Sequence, residues 1–152
     1  MNTPPPPPPP PSQQNTANLF ANDRDSQMRI FKAESIKTRN FLFGIAILYF
    51  LGNALPIIIA GGAGGTIALS LIVTIIFLGM GLLATTQPYI AAIISAVVIG
   101  LMLILLIITM TALQGAALVM ILPWLIFLIA AGLEVGAFMS AKKAEQARKL
   151  MH

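Results

Sequence analysis

Residues 41–140 read FLFGIAILYFLGNALPIIIAGGAGGTIALSLIVTIIFLGMGLLATTQPYIAAIISAVVIGLMLILLIITMTALQGAALVMILPWLIFLIAAGLEVGAFMS, and Glu134 is their one formal charge. All nine lysines and arginines lie outside this stretch. The block is about five times the ~20 residues that cross a ~30 Å hydrocarbon layer. Its internal punctuation divides it into four. Residues 41–60 form a first span, ended by Gly61-Gly62-Ala63-Gly64-Gly65, because glycine is costly in helices and free to turn. Residues 66–84 form a second, closed by Thr85-Thr86-Gln87-Pro88, and residues 89–111 a third, ended near Gln114-Gly115. Residues 116–140 complete the set. Connections of about five residues leave consecutive helices no choice but to be antiparallel neighbours. The expected fold is therefore an all-α integral membrane protein, an up-down-up-down bundle of four transmembrane helices.

Composition leads to the same class. Of 152 residues, 57% are hydrophobic and 9% charged, too few to cover a soluble domain of this size with polar surface. The net charge of +4 is carried by cations that flank the apolar block. Orientation on a membrane explains them more economically than nucleic acid, and no nucleic-acid partner is expected. Five cations precede the first span and four (Lys142, Lys143, Arg148 and Lys149) follow the last. Cytoplasmic flanks collect Lys and Arg, which places both termini in the cytoplasm and requires an even number of crossings. The lipid bilayer is the first partner this implies.

Outside the block, residues 1–22 read as an extended, disordered tail with eight consecutive prolines, Pro4 to Pro11. It serves either as a spacer or as a ligand for a proline-recognising cytoplasmic partner. Polyproline stands where a signal peptide would carry its basic and apolar regions. Residues 23–40 turn basic, and Asp25 with Arg29 and Glu34 with Lys37 are spaced as helical pairs, predicting a juxtamembrane helix. Residues 142–152 form a basic helical tail. The chain has no cysteine, which removes disulfides, thiol chemistry and thiolate metal sites.

Within the block, Glu134 needs a reason. It lies about seven residues from the end of the fourth span, roughly 10 Å deep, where an unpaired carboxylate costs several kcal/mol. Three readings suit it: a proton- or cation-handling group, a neutral acid bonded to a neighbouring helix, or a side chain reaching Lys142 or Lys143 at the interface. Tyr49, eight residues into the first span, is at a similar counted depth, with Asn53 one turn further on the same face. Either can satisfy the carboxyl if the first and last spans touch. Gly132 and Gly136 at spacing four, extended by Ser140, form a small-residue stripe for close helix packing, about 200° around the helix from Glu134. Pro56 and Pro123 should bend their spans, and Trp124 with Phe41, Phe43, Tyr89 and Phe138 fall at the two aromatic belts.

The single histidine is the last residue, His152, so no histidine-based metal or haem site fits inside the block, and no cofactor or metal is expected. No Walker loop, serine–histidine pair or carboxylate pair at a shared depth is present. Four short-looped spans also occur in vacuolar-type proteolipids and small multidrug exporters. The small-residue helices of the first and the first-span glutamate of the second have no counterpart here. The expected function is therefore non-enzymatic: a small accessory or scaffold subunit of a membrane assembly or homo-oligomer. The alternative is a small proton-coupled transporter or channel using Glu134, and a holin-like pore former is a third.

Overall fold

The computed structural model describes residues 11–59, 61, 64–112 and 117–151. Residues 4–10 of the proline run, the Gln114-Gly115 turn and His152 lie outside them. The described residues are helical, with no strand: α1 (Pro11–Tyr49), a π-helical turn (Phe50–Ala54), α2 (Leu55–Ile59), α3 (Gly64–Leu83), α4 (Pro88–Ala112) and α5 (Ala117–Leu150). Two helical segments, Pro88–Ile108 and Trp124–Leu150, are long and apolar enough to cross a membrane, and Ile67–Leu83 is a shorter apolar helix.

The N-terminal reading needs correction. Residues 11–22 are not an extended tail but the opening turns of α1. Proline suits the first helical position, where its missing N–H had no partner to lose. No glycine or further proline interrupts the chain before Gly44, so the helix runs unbroken through the basic segment into the apolar block.

At Pro56 the expected bend takes a specific form. Proline has no N–H for the Gly52 carbonyl one turn earlier. The preceding residues widen into the π-helical turn, in which the Leu55 N–H bonds the Phe50 carbonyl, one residue further back than in an α-helix. α2 ends at Ile59, and Gly61 follows at φ +66°, a conformation that favours glycine. α5, by contrast, continues as one helix through Pro123. At the other turn Gln87 accepts from the Ala91 N–H, and buried Pro88 opens α4.

α1 and α5 form the backbone of the packing. Their contacts keep step over the whole length: Arg24 Nη2 donates to the Met151 carbonyl at 3.4 Å, and Thr38 Oγ1, 3.0 Å from the Glu34 carbonyl of its own helix, also lies 3.4 Å from the Ala137 carbonyl. Further along, Gly44 lies against Leu133 and Gly52 against Ile126. One number rises as the other falls, so the helices are antiparallel and almost in register. The seam is built from small residues: Ser35 and Thr38 on α1, and Ala137, Ser140, Ala141, Ala144 and Ala147 on α5, all buried. Side chains this small let two backbones approach closely. α3 packs on the other flank of α1, where the Phe43 ring sits directly over Gly81, and α4 packs on α5 through Tyr89 and Phe138, whose ring centroids are 5.9 Å apart. The core between them comprises Leu42, Ile45, Phe77, Met80, Ile99 and Ala130. Outward faces of α3 and α4 are apolar, among them Leu69, Ile75, Val97, Leu101 and Leu105.

The glycines separate on this packing. A methyl group at Gly81 collides with the Phe43 ring, whereas one at Gly132 meets nothing within 4 Å. Gly132→Ala is therefore expected to raise stability by about 0.5–1 kcal/mol through helix propensity alone. Gly81→Ala should lower it by about 1–3 kcal/mol, because the ring must move. Thermal melts of the two variants in the same detergent would show opposite shifts; shifts of the same sign would contradict this packing.

Candidate functional site: a buried carboxyl beside a cavity

Ser95 stands seven residues into α4 from Pro88, and Glu134 faces it from α5. The Ser95 hydroxyl donates to Glu134 Oε1 at 2.6 Å and also lies 3.0 Å from the Ala92 carbonyl of its own helix. Ser95 is fully buried and Glu134 is 7% exposed. The second carboxyl oxygen, Oε2, is buried and has no hydrogen-bond partner. A buried polar atom without a partner is costly, so the site has an unfilled demand for a donor, a proton or water.

One turn from this pair toward the Gly61 end, Ile99 and Ala130 form part of the wall of a cavity of about 90 Å³. Phe77, Met102, Ile126 and Phe127 make most of the remaining lining, and Tyr49 and Asn53 supply its polar groups. In the opposite direction, toward the Lys142 end, the packing is closed: Thr38, Leu42, Ala91, Ala92 and Ala137 are all fully buried.

Tyr49 and Asn53 thus share a cavity with each other, but Glu134 takes its hydrogen bond from Ser95, not from either of them. Tyr49 instead lies near Ser70 of α3. The counted depths misled because the two helices do not enter the apolar block at the same level. Phe41 lies against Gly136 and Gly44 against Leu133, so Glu134 is level with the turn around Leu42. Tyr49 is about seven residues, roughly 10 Å, further along. Ser95 was within reach of sequence reasoning. Spans joined by one short turn must be neighbours, and counting from Pro88 puts Ser95 at the depth of Glu134.

The small-residue stripe also divides. Gly136 faces α1, with the Phe41 ring 3.0 Å from where its Cβ would sit, while Gly132 is exposed. Ser140 is buried in the seam, near Glu34 of α1. Lys37 Nζ donates to Glu34 Oε1 at 2.7 Å. That bond holds the Glu34 carboxyl below its ordinary range, with Lys37's charge, Ser140 and Lys143 acting in the same sense and burial opposing them. A lowered carboxyl pKa contributes stability above the unfolded value that disappears as pH falls through the folded one. Lys37 is largely exposed, so the contribution is modest. The melting-point gap between the parent chain and Glu34→Gln should accordingly be present at neutral pH and close below about pH 4. A gap that persists at pH 3 would contradict it.

Among the described residues no group of three or more His, Asp or Glu side chains is placed to hold a metal ion. No family model matches this chain, and neither a curated protein nor a solved structure matches it.

Proposed function

We propose that the chain is a non-enzymatic, multi-pass membrane protein with four spans and both termini in the cytoplasm, acting as a small accessory or scaffold subunit of a larger membrane assembly. The apolar outward faces of α3 and α4 support the membrane part, since in water they would form an apolar surface far larger than soluble monomers carry. The observation that carries the subunit reading is the continuation of the α1–α5 pair beyond the apolar block. There the paired helices form a basic stalk on which Phe20, Met28, Ile30 and Leu150 are exposed. Apolar side chains held out on a rigid helical pair, among lysines and arginines, suit docking to another protein. Mild-detergent purification of the full chain from its native membrane should recover a larger membrane protein in fixed stoichiometry. Phe20→Ser with Ile30→Ser should release that protein. Recovery of a solitary monomer would count against the reading.

A second reading, a proton-coupled transporter or channel, is favoured by the unpartnered Glu134 Oε2 alone. Vesicles containing the full chain should then show pH-dependent flux that Glu134→Gln abolishes; identical traces for the two would remove it.

A further inference from the structure

We propose that the cavity between α1, α3, α4 and α5 is a one-sided, water-filled vestibule through which Glu134 exchanges its proton with the Gly61 side of the membrane. This inference rests on the membrane reading and on the second of the two functions above. It adds the direction of access and the residues that set it.

The position of the cavity defines the direction. It lies one turn from the acid toward the Gly61 end, where Ile99 and Ala130 line it. Helical side chains lean toward the N-terminus of their own helix, which on α5 is the Ala130 side of Glu134. Ser95 engages Oε1, and Oε2 is buried without a partner. The opposite direction is sealed by Leu42, Ala91, Ala92 and Ala137, each with no exposed surface. Space therefore exists on one side of the acid and not on the other.

The cavity has room for several waters at about 10–15 Å³ of accessible volume each, and water needs polar partners to stay. Asn53 and Tyr49 supply these at the Gly61 end, while Phe77, Ile99 and Ala130 leave an apolar section next to the carboxyl. The polar end is the mouth of the vestibule and the apolar section its neck, which water enters less readily than the mouth. When water enters the neck, the proton passes from the carboxyl to that water as hydronium, and the carboxylate left behind keeps the Ser95 hydroxyl as donor. Return of a proton from the same water reverses the step. Other titratable groups are few here. Tyr49 is the one other that lines the cavity, α3 has none, and α4 has only Tyr89 near its first turn. α5 has no other before Lys142, and on α1 Arg39 lies one turn from Leu42, away from the cavity.

The test follows deuterium exchange at the acid in the full chain reconstituted in lipid vesicles. The readout is the carboxylic C=O infrared stretch that Glu134→Gln removes, timed after transfer to deuterated water. Ala130→Leu fills the neck, and Asn53→Leu removes a water partner at the mouth with little change of volume. Each is expected to slow exchange about tenfold or more. Ala91→Val, on the sealed side and without contact to the Ser95 hydroxyl, should leave the rate within a factor of about two. Asn53→Leu keeps the test informative should Ala130→Leu fail to fold, which gel filtration and melting would reveal. Unchanged exchange in Asn53→Leu, or slowing by Ala91→Val alone, would overturn the vestibule. Exchange that follows the cavity without any net flux would support it while removing the transporter reading.

Discussion

Ala141→Leu combined with Ala144→Leu is expected to unfold the α1–α5 pair at temperatures where the parent chain is intact. Both alanines are fully buried in a seam where Thr38 Oγ1 comes within 3.4 Å of the Ala137 carbonyl. Helices this close have no space for an isobutyl group. Each insertion costs about 1–3 kcal/mol on its own, and the two act on the same contact, so their effects will not simply add. Against a total stability of about 5–15 kcal/mol, the pair of changes is severe. Lys142→Leu, between them on the exposed face, is the control and should melt with the parent. The measurement is loss of helical signal on heating in detergent micelles. A double variant that melts with the parent would mean that the seam is not closely packed.

The Ser95–Glu134 pair should respond asymmetrically. Ser95→Ala removes the hydroxyl from Oε1 and leaves both carboxyl oxygens buried without a donor, at a cost of about 1–3 kcal/mol. Glu134→Leu removes the demanding partner, and the Ser95 hydroxyl keeps the Ala92 carbonyl as acceptor. The double variant Ser95→Ala/Glu134→Leu replaces the pair by apolar groups of similar size and should be at least as stable as the parent. The expected order of melting points therefore places Ser95→Ala below the double variant. If the two single effects add in the double variant, the pair is not coupled and the site as described fails. Such a result on stability is separate from flux, which tests what the carboxyl is for.

Much of this architecture is legible in the residues, for identifiable reasons. Gly61 and Pro88 mark the helix ends because glycine permits a positive φ and proline fixes φ and lacks an N–H, and such effects act locally. The pairing of first and last helices is harder to read, since it depends on matching small-residue faces almost a hundred positions apart. The helical start at Pro11 escaped because a proline run reads as extended until its last member, which is also a suitable first residue of a helix. Depth misplaced the partner of Glu134. Counting from charged boundaries assumes that every helix meets the membrane surface at the same residue, and long cationic side chains remove that constraint by reaching for water. Counting instead from the rigid turn at Pro88 identifies Ser95. The cavity had no sequence signal beyond Tyr49 and Asn53 sharing a face, because a void is defined by what four helices fail to fill together.

The α1–α5 seam also has a consequence for the order of assembly. Thr38 and Ala137 are 99 positions apart, and Arg24 and Met151 are 127 apart. At about 5–20 residues per second, α1 leaves the ribosome roughly 5–20 s before its partner is complete. Through that interval its seam face of Ser35 and Thr38 stays uncovered, and the costly closure of the chain onto that face falls to α5. A chain cut short before α5 would keep its earlier apolar helices but leave the seam face of α1 without its partner.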